Sequence, residues 1–298
     1  MPPLSASRKT KIAGRAVHNI VTGRPITVSF ELTYNCNAHC EHCDLGDYVK
    51  EPRSGPDSFA ARVEELRPAV TQISGGEPLL RKDLLEIIRE MRRRDPVSLF
   101  VLTTNVTLLT EEKYLRLREA GVDQFSLSLD YPDERHNTFR HLRGNFEHIR
   151  DLAPKLARHG FGDIILACVV QKDNCADLPR LAELAREWGV AMNYSTYNSL
   201  RTGKTHFLFN TDGELAELAG IVEQLIEMQE SGYPILTSAW TLQRMVRFFR
   251  VGKEPGCQAG RRFLIVNPWA KLTRCGMFRQ PFGSQAELTD FYRSDGQC

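Results

Sequence analysis

The sequence contains no uninterrupted apolar run of about 18 residues, which excludes a membrane-spanning helix of ordinary design. Its first 26 residues lack the apolar stretch of a secretory signal. It also lacks an excess of either charge, since 39 Lys and Arg against 37 Asp and Glu leave a formal net charge of +2. That balance argues against a nucleic-acid partner. With 298 residues, the chain can bury a sizeable core without disulfides, and we expect a cytoplasmic protein.

Three of the eight cysteines fall within eight residues, in the pattern C-x3-C-x2-C formed by Cys36, Cys40 and Cys43. In a reducing compartment, clustered thiols indicate a metal or redox site. A zinc site could take His39 or His42 as its fourth ligand. An iron–sulfur cluster is larger than one ion, so one short loop can reach three of its corners and leave one iron open. The spacing favours an iron–sulfur cluster, with zinc as the alternative.

Six segments rich in β-branched and aromatic residues alternate with segments of helical spacing. Such alternation predicts an α/β fold with a parallel sheet, as either a barrel or an open doubly wound sheet. Ligands gather at the carboxyl ends of parallel strands in both cases. We therefore expect the cysteine loop and the strand-end residues to share one face. The predicted strands span 27–34, 69–74, 97–105, 123–130, 163–170 and 190–197.

These motifs resemble the radical S-adenosylmethionine (SAM) superfamily. The resemblance rests on the three cysteines after the first strand, Ser74-Gly-Gly-Glu-Pro78 after the second, and Ser126-Leu-Ser-Leu-Asp130 with Arg143-Gly144 downstream. It implies a partial (β/α)6 TIM-type barrel whose cysteine loop holds a [4Fe-4S] cluster, with SAM on the open iron. Reductive cleavage of SAM would yield a 5′-deoxyadenosyl radical that abstracts hydrogen from an unactivated C–H bond. An electron donor such as flavodoxin or ferredoxin is implied.

The resemblance also assigns roles after the second and third strands. Gly75 and Gly76 allow close backbone approach, so that bare polar groups can meet the SAM ammonium. Glu77 adds an acceptor near that cation, and Pro78 fixes the turn. Asn105 ends the third strand and is expected either to line the SAM site or to serve a turn.

Ser128 and Asp130 are candidates for the SAM ribose hydroxyls, because strand alternation puts them on one face. Asp130 could instead cap the following turn. Arg143 is the candidate for the SAM carboxylate, with Arg140 as competitor. His42 is expected to contact the adenine, or else to be a surface histidine.

The sequence gives fewer indications of which residues contact the substrate. Tyr194, Tyr197 and Arg201 follow or end the sixth strand and are candidates to contact substrate, or else form an ordinary barrel rim. A small polar metabolite suits Arg201, and a lipid-type substrate suits Arg247-Phe248-Phe249. The alternatives are a peptide- or nucleic-acid-modifying radical enzyme and a non-catalytic metal-binding module of zinc or iron–sulfur type.

We predict three parts: an N-terminal extension (1–26), the radical SAM core (27–212) and a small α+β C-terminal extension (213–298). Within the last, two short strands in 263–275 are expected to form a hairpin in the segment that runs from Cys257 to Cys275. This region resembles a reduced form of the twitch or SPASM extensions, some of which carry auxiliary clusters. Cys257, Cys275 and Cys298 are therefore candidates for a second iron–sulfur cluster, or else are packed thiols.

Overall fold

A computed structural model of the chain describes residues 4–51, 53–253 and 256–293. In these ranges, eight strands join into one sheet. The strands are β1 (Thr27–Glu31), β2 (Val70–Ser74), β3 (Leu99–Thr104), β4 (Gln124–Ser128), β5 (Ile164–Val170), β6 (Ala191–Thr196), β7 (Phe263–Val266) and β8 (Leu272–Thr273).

Helices connect the strands and flank the sheet. None of the helices in the described ranges is both long and apolar enough to cross a membrane. They are α1 (Ala6–Thr22), α2 (Pro56–Leu66), α3 (Leu84–Arg94), α4 (Glu111–Ala120), α5 (Arg135–Arg140), α6 (Asn145–Ala157), α7 (Leu178–Trp188), α8 (Asp212–Glu230), α9 (Ala239–Val251) and α10 (Gln285–Arg293).

The first six strands run parallel and lie side by side in chain order. Each is joined to the next through at least one helix, as the alternating pattern predicted. The sheet order is β6-β5-β4-β3-β2-β1-β7-β8, so β6 and β8 are the two edges and the sheet is not closed. The predicted partial (β/α)6 barrel is confirmed, and its open side lies at β6.

The core fills the space between the outer face of the sheet and the helices. Phe100 and Leu102 alternate along β3 and are fully buried against this layer. The opposite face is more polar, since Gln72 donates to the Thr103 hydroxyl at 3.1 Å between β2 and β3. Helix α3 contributes one apolar stripe to the core: Leu84, Ile87, Ile88 and Met91.

Helix α1, which the sequence did not predict, lies against the amino ends of the strands. Arg8 donates to the Asp123 carboxylate at 2.7 Å, just before β4. Arg15 donates to Asp95 at 2.6 Å, ahead of β3. Asn19 donates to the carbonyl oxygen of Pro25 at 2.7 Å, which fixes the turn into β1. This helix therefore helps to fix the side of the sheet opposite the cysteine loop.

The C-terminal hairpin is present and extends the main sheet. Strand β7 pairs with β1 in parallel, with Phe30 opposite Val266, and β8 pairs with β7 in antiparallel. Part of 213–298 thus lies next to the strand that leads into the cysteine loop. The three-part division of the chain stays a prediction.

Candidate functional site

The cysteine loop, residues 32–51, begins where β1 ends. Cys36 and Cys40 are buried, and Cys43 is half-buried. These side chains pack with Ala38 and Leu142 in a small apolar cluster, separate from the main core. The loop therefore brings three thiols to one place at the carboxyl edge of the sheet.

Gly75 and Gly76, after β2, pass directly against the start of this loop. A Cβ atom on Gly75 would lie 2.3 Å from the Thr33 carbonyl oxygen, and one on Gly76 would lie 2.1 Å from that of Asn35. The Gly76 amide donates to the Thr33 carbonyl at 2.7 Å, and the Glu77 amide donates to that of Asn35 at 2.9 Å. Only glycine permits so close an approach, so the pair fixes the position of the cysteine loop.

Each cysteine sulfur has an N–H donor from a different part of the fold. The donors come from the residue after β3, the end of α5 and the loop after β6. N–H groups near sulfur stabilise the thiolate form, and they do so more strongly when the donor is charged. The pairs are Asn105 Nδ2 with Cys36 Sγ at 3.9 Å, Arg140 Nη1 with Cys40 Sγ at 3.8 Å, and Arg201 Nη2 with Cys43 Sγ at 3.9 Å.

This set of donors fits an iron–sulfur cluster. Burial raises the pKa of the Cys36 thiol, and that of the Cys40 thiol to about 12, so both hold their protons until a metal displaces them. In the described ranges, no three His, Cys, Asp or Glu side chains are spaced for one metal ion. A four-iron cluster is larger than one ion, so its ligands lie farther apart. Three thiolates would leave one iron without a protein ligand.

A protein-family model described as the radical SAM superfamily matches residues 30–185. This match covers more than half of the chain and therefore shows the family. The chain belongs to the radical SAM superfamily. It is a radical SAM enzyme, with a [4Fe-4S] cluster and SAM as its cofactors.

Named relatives make different products. An AdoMet-dependent heme synthase of Methanosarcina barkeri is 34% identical, over 92% of this chain and 85% of its own length. An Fe-coproporphyrin III synthase of the same organism is 27% identical, over 71% and 54%. The mycofactocin maturase MftC of Mycobacterium tuberculosis is 28% identical, over 84% and 64%. The chain therefore spans most of the first relative and only part of the other two.

Two solved structures of another protein share the fold. Streptococcus suis SuiB bound to S-adenosylmethionine superposes with a TM-score of 0.71 at 17% identity, over 95% of this chain and 70% of that chain. SuiB bound to precursor peptide SuiA gives a TM-score of 0.68 at 16% identity, over 96% and 65%. At this identity, the likeness shows the fold alone.

The radical SAM site differs from expectation at Asp130. Its carboxylate is buried, pairs with Arg140 at 2.7 Å and accepts the Val169 amide at 3.1 Å. Burial opposes ionisation of Asp130, but the guanidinium outweighs it and lowers the pKa. Both carboxylate oxygens are thus engaged inside the protein, which corrects their expected role on the SAM ribose. Arg143 is exposed, whereas Arg140 is buried and reaches Cys40, so the assignment of the SAM carboxylate to Arg143, with Arg140 as competitor, stays a prediction.

Glu77 also differs from expectation. Its carboxylate accepts the Leu79 amide at 3.0 Å, the Thr104 hydroxyl at 2.8 Å and the Asn105 amide at 2.8 Å. Burial raises the pKa of Glu77 to about 7, although these three donors oppose the shift. Glu77 is therefore a positioning residue that joins the end of β3 to the turn at Pro78, which corrects the expected contact with the SAM ammonium.

Three further SAM-site candidates lie around the cysteine loop. Asn105 donates to the Asn37 side chain at 2.8 Å. Ser128 is half-buried at the end of β4. His42 stacks on Phe139, with 5.0 Å between ring centroids, and burial lowers its pKa to about 4. His42 is thus a neutral ring packed on Phe139 and still partly exposed, so both its contact with adenine and its alternative as a surface histidine stay predictions.

The substrate-side candidates have other roles in the fold. The Tyr194 hydroxyl donates to the Leu178 carbonyl at 2.7 Å, on the outer face of β6. The Tyr197 hydroxyl donates to the Lys204 carbonyl at 2.8 Å and fixes the loop that follows. Arg201 turns toward the cysteine loop. Each hydroxyl is thus tied to a backbone carbonyl, and Tyr194 also lines a groove beside Cys257, so the contact of these tyrosines with substrate stays a prediction.

Sequence reasoning missed the ion pairs that tie the cysteine loop to distant segments. Asp44 accepts from Arg201 Nε at 2.8 Å and from Arg279 Nη1 at 2.9 Å. Burial opposes ionisation of Asp44, but the two guanidinium groups outweigh it and lower the pKa. Glu41 accepts from Lys204 at 2.6 Å. These partners are 157, 235 and 163 residues apart, and no local pattern pairs residues so distant.

The candidates for a second cluster are only partly described. Cys257 is half-buried and lines a groove beside Tyr194. Cys275 is half-buried after β8. Cys298 lies outside the described residues. The auxiliary cluster therefore stays a prediction.

Proposed function

We propose that Cys36, Cys40 and Cys43 hold the [4Fe-4S] cluster, and that the enzyme abstracts hydrogen from a C–H bond of a small-molecule substrate. This proposal rests on the observation that each of the three thiols of one loop has its own N–H donor. When bound, the cluster supplies the electron that cleaves SAM to methionine and a 5′-deoxyadenosyl radical. We assign the C-x3-C-x2-C and Gly75–Pro78 segments as the family motifs, and flavodoxin or ferredoxin as the class of electron donor.

The SAM site is proposed at the same edge of the sheet. The Gly76 and Glu77 amides hold the cysteine loop, which leaves the carbonyl groups of Gly75 and Gly76 for the SAM ammonium. Ser128 and the ring of His42 are proposed for the ribose and the adenine. Neutral, stacked His42 suits an aromatic base better than a charged one would.

The direct test is 5′-deoxyadenosine formation after anaerobic reconstitution, with SAM and dithionite. We expect product from the wild type and none from Cys40→Ala. Cys175→Ala is the matched control, because this buried thiol lies in the turn before α7, outside the cysteine loop. Equal product from Cys40→Ala would contradict the assigned ligands. A reducible cluster that never cleaves SAM would leave the protein as a metal-binding module.

For the substrate we propose a tetrapyrrole. Two relatives are named for making heme and Fe-coproporphyrin III, and the heme synthase match covers 92% of this chain. A groove of about 580 Å³ at the open edge of the barrel supports this class. Trp240, Met245 and Phe248 give it apolar and aromatic walls, and Ser195 of β6 links it to the carboxyl end of the sheet. Such walls suit a large flat ring system.

The test is titration of Fe-coproporphyrin III and heme, followed by tetrapyrrole absorbance. Trp240 is 63% exposed, so Trp240→Ala removes groove surface without opening the core. We expect about a tenfold weaker Kd, or about 1.4 kcal/mol. Leu115→Ala, on an exposed site of α4, should leave the Kd unchanged. If neither tetrapyrrole binds and a peptide stimulates SAM cleavage, a peptide substrate, such as the precursor peptide bound to SuiB, replaces this proposal.

A further inference from the structure

Arg201 connects the loop after β6 to the third cysteine of the site. One of its nitrogens, Nη2, lies 3.9 Å from Cys43 Sγ, and Nε donates to Asp44 at 2.8 Å. The side chain is only 21% exposed. Its guanidinium is therefore held by the Asp44 carboxylate in contact with the sulfur, and it does not project freely toward a substrate.

Charged groups of both signs surround this contact. Asp44 faces two guanidinium groups, since Arg279 also donates to it at 2.9 Å. Glu31 is the other acidic group that senses both arginines, and its burial favours the neutral form. Lys204 is balanced separately by Glu41 at 2.6 Å. Arg201 therefore places a positive charge directly beside Cys43, next to the Asp44 carboxylate that it shares with Arg279.

From this arrangement we infer that Arg201 is a positioning residue that raises the reduction potential of the [4Fe-4S] cluster. The inference rests on the proposed ligation by Cys43. Reduction adds one negative charge to the cluster, so an adjacent cation stabilises the reduced form more than the oxidised form. An N–H group aimed at a ligand sulfur acts in the same direction, because it withdraws charge from the sulfur. The loop after β6 therefore takes part in setting how readily the site accepts its electron.

The test is a redox titration of the reconstituted full chain, followed by electron paramagnetic resonance without SAM. Arg201→Met removes both the charge and the donor. We expect about a tenfold smaller equilibrium constant for reduction, which is 59 mV more negative for one electron. Arg201→Lys keeps the charge and should recover most of the wild-type potential. Arg180→Met is the control, because Arg180 is an exposed arginine of α7 that pairs with Glu183 and Glu187.

Equal potentials for Arg201→Met and Arg180→Met, at wild-type iron content, would overturn the inference. Loss of iron from both Arg201→Met and Arg201→Lys would also overturn it, because Arg201 would then build the loop instead of tuning the cluster. The proposed ligation is tested separately by Cys43→Ala. If that variant keeps a wild-type cluster, the ligand assignment fails whatever the potential of the Arg201 variants.

Discussion

Replacing Gly76 by alanine perturbs the contact that fixes the cysteine loop. The added Cβ would lie 2.1 Å from the Asn35 carbonyl oxygen and 2.8 Å from that of Tyr34. Both obstacles are backbone atoms, so no flexible side chain can move aside. Real Cβ atoms essentially never approach closer than 3.0 Å, so the two segments must separate by about 0.9 Å.

A separation of that size breaks hydrogen bonds that can be named. The bond from the Gly76 amide to the Thr33 carbonyl would lengthen from 2.7 Å to about 3.6 Å, beyond hydrogen-bond range. The bond from the Glu77 amide to Asn35 would weaken with it. At about 1 kcal/mol each, the loss is about 2 kcal/mol, or a Tm lower by about 4 °C.

The assays are thermal unfolding of the metal-free protein and iron content after anaerobic reconstitution. Gly76→Ala should lose both stability and iron, because the displaced loop no longer presents its three thiols together. Gly220→Ala is the control, since its added Cβ meets nothing within 4 Å in α8 and should stabilise by about 0.5–1 kcal/mol. Wild-type Tm and iron content in Gly76→Ala would refute the reasoning.

Two further predictions concern the acid next to this contact and the remaining cysteines. Burial raises the folded-state pKa of Glu77 to about 7 from its ordinary 4.5, so its contribution to stability is full below pH 4.5 and is lost as the pH rises through 7. The loss of unfolding free energy caused by Glu77→Gln should therefore be smaller by roughly 3 kcal/mol at about pH 8 than at about pH 5. Urea denaturation at the two pH values measures it, and an equal loss at both would contradict the prediction. A second cluster on Cys257, Cys275 and Cys298 predicts about four irons per reconstituted chain after joint replacement of the loop cysteines by alanine, and an iron-free variant rules it out.

The local part of the fold could be predicted from the sequence because its signals are local. Alternating burial along β2 and β3 follows from their β-branched and aromatic residues. Gly121 caps the end of α4, as glycine commonly does at the carboxyl end of a helix. The cysteine loop was placed at the carboxyl edge of the sheet because it directly follows a predicted strand.

Other side-chain contacts could not be predicted, because each depends on which of several possible partners the side chain meets in the folded protein. Asp83 stands directly before α3, a position where aspartate commonly caps a helix, yet it makes no side-chain cap bond, because its carboxylate pairs with Arg81 at 2.6 Å. Arg140 and Arg143 both follow Asp130 at a short distance in sequence, and only the unpredicted α5 decides which of them points inward. Tyr194 lies on a strand whose two faces both contain polar residues, so its chemistry did not indicate its side.

The contacts of the first 26 residues could not be predicted for the same reason, and one of these contacts can be tested by mutation. Arg15 of α1 reaches Asp95, 80 residues away, at 2.6 Å, and the two side chains are 12% and 2% exposed. Removing one partner of a buried pair leaves an uncompensated charge, so Arg15→Met should cost about 3 kcal/mol in urea denaturation. Asp95→Asn should lose less when Arg15 is already gone, because the pair is then broken in both backgrounds. Effects that add within about 0.5 kcal/mol would mean that Arg15 and Asp95 make no specific electrostatic contact.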